Sequence, residues 1–219
     1  MWQPAAMRLN LWRNKMKIEE YLADPCGASS LPYWKTKSLA IPENITIMKD
    51  DEFIKSQHNG NDEPYFKLIN DLRTIREPVL PKGFEIVQCS IGDFVKQINL
   101  CYSQEHLSTE ELLSYKSHSV YRSDLWLSVS DAENGAIVAT GIAELDASIG
   151  EGILEWIQVL PEYRRKGLGT FLICELLKRM RDQARFVTVS CRMNNECMPL
   201  ALYKACGFTN PVIWHILID

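Results

Sequence analysis

Arg164, Arg165 and Lys166 stand directly before Gly167 and Gly169, with Thr170 behind them. Three cations ahead of two glycines suit the binding of an anion. The apolar segment upstream ends at Pro161, and an amphipathic run opens at Leu168. The stretch therefore reads as a strand that delivers a phosphate-sized anion to the start of a helix. Such a start presents backbone N–H groups without intrahelical partners and the positive end of the helix dipole. The glycines let the main chain come close to a ligand. Taken alone, the charges would be a solvated surface run; the glycines and the helix start outweigh that reading.

The six residues Arg164 to Gly169 form R-x-x-G-x-G. V-x-P-x-Y precedes them at Val159, Pro161 and Tyr163, and A-L-Y-K-x-C-G-F follows from Ala201 to Phe208. Together these motifs resemble the acetyl-CoA pyrophosphate loop and the downstream helix of the GCN5-related N-acetyltransferases, the GNAT superfamily, over roughly residues 82–219. The resemblance implies an α/β, GNAT-like fold: a mixed, mostly antiparallel central sheet with splayed strands, flanked by helices. It implies that Ile157, Gln158 and Val159 show backbone groups to the pantetheine arm. The main chain of Arg165, Lys166, Gly167, Leu168, Gly169 and Thr170 would hold the pyrophosphate, and Arg164 matches the Gln or Arg that opens the family's loop. Arg165 stands where the family often has glycine, so its side chain faces either solvent or the adenosine 3′-phosphate. Tyr203 occupies the place of the family's general acid; the alternative is a tyrosine packed between helix and sheet. Asn194 and Asn195 share the place of an asparagine that binds the pantetheine or its loop. Asn195 is eight residues from Tyr203, one more than the familiar spacing.

Direct acyl transfer needs two substrates held together, a polarised carbonyl, a base for the amine and an acid for the thiolate. A backbone N–H near Val159 is the candidate for the carbonyl. Glu155, four residues earlier, is the candidate base, since several family members carry a glutamate there; strand alternation puts it on the face of Ile157 and Val159. Glu144, Asp146 or a water chain are the rivals. If the three carboxylates share an open face, they attract a cationic primary amine as acceptor. His118 and His215 have no sequence partner that supports a base role, and no histidine is patterned to activate Cys191 or Cys206 for a covalent route. The function expected is acetyl-CoA-dependent N-acetyl transfer to a primary amine in a ternary complex. The alternative is a non-enzymatic acyl-CoA-binding or accessory module.

The composition narrows the partners. A net charge of −4 over 219 residues gives no reason to expect nucleic acid. No apolar stretch approaches the roughly 20 residues of a membrane span, and the N-terminus lacks the apolar core of a signal peptide. The seven cysteines are odd in number and irregular in spacing, as expected of reduced thiols in the cytoplasm. Cys191 and Cys197 lack zinc-ligand spacing, so no metal is expected. The acceptor, and the choice between monomer and homodimer, are not encoded legibly.

The elements that must position these residues follow from pattern. Residues 1–80 read as an N-terminal extension or subdomain and 81–219 as the acetyltransferase domain. Met16 could equally be the start, with residues 1–15 an upstream extension. Residues 17–40 are turn-rich and suited to wrapping the domain or covering a sheet edge. Asn44 to Met48 is a short strand, residues 58–62 a loop, and Tyr65 to Ile75 a helix from the spacing of Phe66, Ile69, Leu72 and Ile75. Beyond Pro81, strands are expected at Gly83–Gln88, Leu125–Val129, Ala136–Leu145, Ile153–Leu160, Arg185–Ser190 and Val212–Ile218. Helices are expected at Ile91–Tyr102, after a Ser108 or Thr109 cap, from Leu168, and at Pro199–Ala205 with Gly207 closing it.

Overall fold

A computed structural model describes residues 16–58, 60–102, 106–195, 197 and 199–219; the expectation for residues 1–15 lies outside them. Among these residues, eight strands form one sheet: β1 (Ile45–Lys49), β2 (Asn61–Asn70), β3 (Phe84–Val87), β4 (Trp126–Asp131), β5 (Ile137–Asp146), β6 (Glu151–Val159), β7 (Phe186–Arg192) and β8 (Thr209–Ile218). Their order is β1-β8-β2-β7-β6-β5-β4-β3. Every pairing is antiparallel except β6 with β7. Among the described residues, six α-helices accompany the sheet: α1 (Ile18–Ala23), α2 (Tyr33–Ser38), α3 (Ile91–Cys101), α4 (Thr109–Ser114), α5 (Leu168–Met180) and α6 (Pro199–Ala205).

A parallel pair needs a crossover, and α5 supplies it between β6 and β7. Its apolar stripe, including Leu168, Leu172, Leu176 and Met180, is buried against Leu127, Val138, Leu145 and Val187 of the sheet. The opposite face carries α3 and α4, where Phe94, Ile98 and Leu112 pack with Ile142 and Trp156. Both helices open with a capping box, Ser90 with Asp93 and Ser108 with Glu111, which satisfies their first N–H groups. Gly207, at φ 89°, ends α6 as its sequence position predicts.

The segment Tyr65–Ile75 is not a helix. Its first part lies in β2, between β7 and β8 at the interior of the sheet. The i+3 spacing was coincidental; the operative period is two. Phe66 and Leu68 face the α5 side, while Lys67 points to the N-terminal segment and Ile69 packs against it. Lys67, which a pattern reader assigns to water, is buried, and this disguises the strand. The loop expected at 58–62 is shorter as well: Asn61 and Asp62 already belong to β2, and Asn59 lies outside the described residues. Thus β1 and β2, from the first 80 residues, are strands of the same sheet as the motifs downstream.

The turn-rich segment 17–40 becomes α1, α2 and the loop between them, a strap across the sheet face opposite α5. Glu151 and Gly152 fix the two faces: Glu151 accepts from Tyr21 and Tyr33 of the strap, whereas a Cβ on Gly152 would meet Met180 of α5. Tyr21 and Tyr33 pack there with Ile149 and Phe186.

Candidate active site

The ladder between β6 and β7 runs from Glu151 opposite Phe186 to Leu154 opposite Val189 and goes no further. Both strands continue, so they part. The Leu160 N–H turns back to the Val138 carbonyl of β5. Peptide direction alternates along a strand, so the backbone groups of Ile157 and Val159 face the gap. Two side chains there confirm that direction: Tyr102 donates its hydroxyl to the Ile157 carbonyl at 2.8 Å, and Arg164 Nε donates to the Val159 carbonyl at 3.1 Å.

The gap opens into a cleft of about 460 Å³ that continues to the start of α5. Of the residues singled out in the sequence, Ile157, Gln158, Val159, Arg164, Arg165, Gly167, Leu168, Gly169, Thr170, Asn195 and Tyr203 line it together. Lys166 and Asn194 do not. The Lys166 ammonium lies over the Tyr163 ring, 4.7 Å from its centre, and Asn194 is exposed. Arg164 and Arg165 are the charged side chains in the cleft wall among the described residues. A dipole end, converging N–H groups and two guanidinium groups fit an elongated anion carrying phosphates at one end.

The loop conformation explains its glycines. Gly167 is the N-cap of α5 at φ 89°, a left-handed position where a Cβ is strained. Gly167→Ala should cost about 1 kcal/mol of stability, read by denaturant unfolding. Gly169 is constrained by packing: a Cβ there would stand 3.0 Å from Leu202 Cδ2 of α6. Arg165 itself adopts φ 64°, which accounts for glycine being common at that place in proteins of this pattern.

Tyr203 lies on α6 with 6% of its surface exposed, its ring edge-on to Phe66 and Phe208. Burial, with the neighbouring Cys191 and Tyr102 adding to it, holds its hydroxyl proton far more tightly than in water. Asn195 shapes the turn beside it: its Oδ1 accepts from the Cys197 N–H at 2.9 Å and its Nδ2 points to Cys191 Sγ at 3.5 Å. Burial pushes the Cys191 thiol up to about 11, so it stays protonated and poorly nucleophilic at neutral pH. Tyr102, Cys101, Cys191 and Cys197 belong to the cleft wall and were missed. Tyr102 follows an amphipathic helix and carried no signal beyond being aromatic.

Glu155 is elsewhere than strand alternation put it. The β5–β6 register shifts so that Ile142 faces Trp156 and Ala143 faces Leu154, which leaves Glu155 as the extra residue of a β-bulge. Ile157 and Val159 pack on the α5 side with Leu154, while Glu155 meets Lys35 of α2 and lies beside Glu144 on the other face. Its side chain is only 6% exposed. Burial raises its pKa to about 7, Lys35 opposing and Glu144 reinforcing the rise. The open acidic face expected from the sequence is absent among the described residues. Glu144 accepts from Trp34 Nε1 at 3.1 Å and approaches His118 Nδ1 at 3.6 Å. Asp146 caps the β5–β6 turn by accepting from the Ser148 N–H at 3.0 Å. None of the three lines the cleft.

The sheet is mixed, and its one parallel pair among the described residues splays beside a glycine-rich helix start. The family model described as Acetyltransferase (GNAT) family matches residues 93–208, more than half of the chain. The chain belongs to that family. Among solved structures, it is similar to a GCN5-related N-acetyltransferase from Sphaerobacter thermophilus, at 17% identity and a TM-score of 0.65 over 85% of this chain and 64% of that one. It is also similar to an acetyltransferase of the GNAT family from Novosphingobium aromaticivorans, at 12% identity and a TM-score of 0.52 over 83% of this chain and 70% of that one. These likenesses concern the fold, and the chain spans less than two thirds of the first structure. A search of curated protein sequences finds no significant match. Among the described residues, no cluster of His, Cys, Asp and Glu is placed to hold a metal ion, and no helix is long and apolar enough to cross a membrane.

Proposed function

We propose that the chain transfers the acetyl group of acetyl-CoA to a primary amine by direct attack in a ternary complex. One observation carries this reading: the β6–β7 ladder stops at Leu154 and Val189, and the gap runs into the N-terminus of α5. The α5 N–H groups and Arg164 and Arg165 would hold the pyrophosphate, with Thr170 and Asn195 lining the path of the pantetheine. Acetyl-CoA supplies the activated acyl carbon. The Val159 N–H would polarise the thioester carbonyl, and Tyr203 would hold a proton for the sulfur. Glu155 would take the amine's proton, directly or through water. The described cysteines are all free thiols, which agrees with a proposed cytoplasmic setting.

Calorimetry with CoA and an amine panel read by thiol release test this directly. Stoichiometric CoA binding together with release of thiol on adding an amine is expected; a folded chain that binds no CoA would refute the reading. A non-enzymatic acyl-CoA-binding module is the second reading, favoured by the closure of Glu155 beneath Lys35. CoA binding without thiol release for any amine would select it.

The pH profile has a defined sign. If Glu155 is the base, the rate falls as pH drops below about 7, and Glu155→Gln removes that limb along with most of the activity. The folded value lies above the ordinary 4.5, so the contribution of protonated Glu155 to stability is complete below about 4.5 and is lost as pH rises through about 7. Rate and unfolding measurements across pH 5–9 check both (a window chosen as about two units either side of 7).

A further inference from the structure

Strand β8 carries a histidine whose partners lie far off in the chain. Its neighbour Trp214 turns Nε1 to the Cys26 carbonyl of the strap at 2.9 Å, and alternation sends His215 to the other face. There the residue is 7% exposed and its ring is engaged at both nitrogens. Nδ1 lies 2.9 and 3.1 Å from the two oxygens of Asp62 on β2, and Nε2 lies 3.0 Å from Asp50, the first residue after β1. Phe53 stacks on the ring with centres 3.8 Å apart, and His58 stacks on Phe53 at 5.7 Å. Residues 50–58 are thus folded back over β8, with the Asp50 N–H on the Ile213 carbonyl at 3.1 Å.

A neutral imidazole has one N–H, and a carboxylate can only accept. Carboxylates at both nitrogens are therefore satisfied by the imidazolium, which donates from each. Its charge also suits the face of Phe53. The charged groups around it are committed elsewhere or stand in water. Lys49 of β1 lies over the Trp214 ring at 5.9 Å, Glu63 of β2 pairs with Arg192 at 3.1 Å, and Asp51, Glu52 and Lys55 are exposed. His58 reaches His215 only through the Phe53 ring between them.

We infer that Asp50, His215 and Asp62 form a pH-released clasp for residues 50–58, closed on the imidazolium and opened when the ring loses a proton. The inference stands apart from the acetyl-transfer reading. Asp62 belongs to a paired strand and is 27% exposed, whereas Asp50 is 63% exposed and begins the segment. The proton left on the neutral ring therefore stays at Nδ1, held by Asp62, and the other goes to solvent. Nε2 then turns a lone pair toward the Asp50 carboxylate, and Asp50 moves into water. Phe53 loses the cation beside it in the same step. The direction of titration agrees: burial opposes the charge, but the hydrogen bonds to Asp50 and Asp62 outweigh it and raise His215 above the ordinary 6.5. The stability tied to the charge is complete below about 6.5 and is lost as pH rises through the raised value.

The test uses the full chain without ligand. Ring-nitrogen NMR shifts follow the ionisation of His215, and trypsin cleavage after the exposed Lys55 reads the opening, each rate divided by that of a free peptide of residues 50–58 at the same pH. Cleavage should rise with the deprotonation of His215, by about tenfold for each unit that its measured value exceeds 6.5. Asp50→Ala should be cut rapidly at every pH. Asp50→Asn keeps an acceptor for a ring N–H and adds a donor for a neutral Nε2, so its cleavage should stay slow and lose the pH response. Unfolding curves confirm that each variant is folded. A His215 value at or below 6.5, equal cleavage on both sides of its titration, or the wild-type pH response persisting in Asp50→Ala would overturn the inference.

Discussion

Tyr203→Phe should lower the rate of acetyl transfer about 100-fold while CoA affinity stays within a factor of two or three, the size of a lost proton donor rather than a lost binding contact. The substitution keeps the ring, and the ring makes the packing: it stands edge-on to Phe66 at 6.4 Å and to Phe208 at 5.6 Å. Only the hydroxyl goes, and it lies in the cleft wall where burial keeps it protonated. The expected signature is a fall in kcat with KM for acetyl-CoA unchanged. Tyr102 is the competing phenol, near enough to add to the hold on the Tyr203 proton. Its hydroxyl is already engaged with the Ile157 carbonyl, which suits it to holding the splayed strand edge. If Tyr102→Phe stopped turnover and Tyr203→Phe did not, the proton donor would have to be reassigned.

What could be read from the sequence followed from how each residue works. The turn from Arg164 to Thr170 was legible because its chemistry is main-chain chemistry, and glycine is the one residue type that advertises backbone geometry. Its neighbours Val159, Tyr163 and Tyr203 came with it at fixed spacing, and β3 to β8 with α3 to α6 followed ordinary periods. Glu155 could be named but not placed, because a bulge inserts one residue into β6 and reverses every face beyond it. No local pattern announces a bulge here: Leu154, Trp156 and Ile157 are apolar on both sides of it.

The N-terminal third was illegible for a different reason. Its polar residues do the work that apolar residues usually do. Lys67 interrupts the apolar run of β2 and Lys35 sits in a Y-W-K-T-K run that reads as surface; Lys67 is buried against Tyr21, which bonds Glu151, and Lys35 against Glu155, 120 residues away. Glu144 of β5 and Glu155 of β6, which suggested an open face for a cationic amine, instead meet Trp34 and Lys35 of the strap. Charge counted along a strand says nothing of which segment will close over it. The resemblance, confined to residues downstream of 81, had no purchase on that segment.

Glu151→Ala should destabilise the fold by about 3–5 kcal/mol, the usual cost of removing one partner from a buried charged network. Glu151 is fully buried and accepts three hydrogen bonds: from the Tyr21 hydroxyl at 2.6 Å, the Thr188 hydroxyl at 2.7 Å and the Tyr33 N–H at 3.0 Å. Lys67, 1% exposed, donates to the Tyr21 hydroxyl at 3.0 Å and to the Ser29 and Leu31 carbonyls at 2.9 and 2.8 Å. Without Glu151, a buried ammonium loses the negative charge that offsets its desolvation, and the strap loses its hold on β6. Lys67→Met should cost less, because burial already raises the pKa of Glu151 and the acid can take up a proton once the cation is gone. The double variant Glu151→Gln with Lys67→Met should then cost less than the sum of the single ones, the mark of a coupled pair. The pH dependence fixes the sign independently. Burial outweighs the pull of Glu151 and lowers the Lys67 pKa from 10.5 to about 8, so the stability associated with its neutral form is complete above about 10.5 and lost as pH falls through about 8. Wild type should therefore gain stability relative to Lys67→Met between those two values. Denaturant unfolding of the four proteins, with limited proteolysis of residues 17–40 as a local readout, decides the matter. A Glu151→Ala chain within about 1 kcal/mol of wild type, its strap still protected, would mean that the strap is held by the packing of Tyr21, Tyr33, Ile149 and Phe186 and that the charges contribute little.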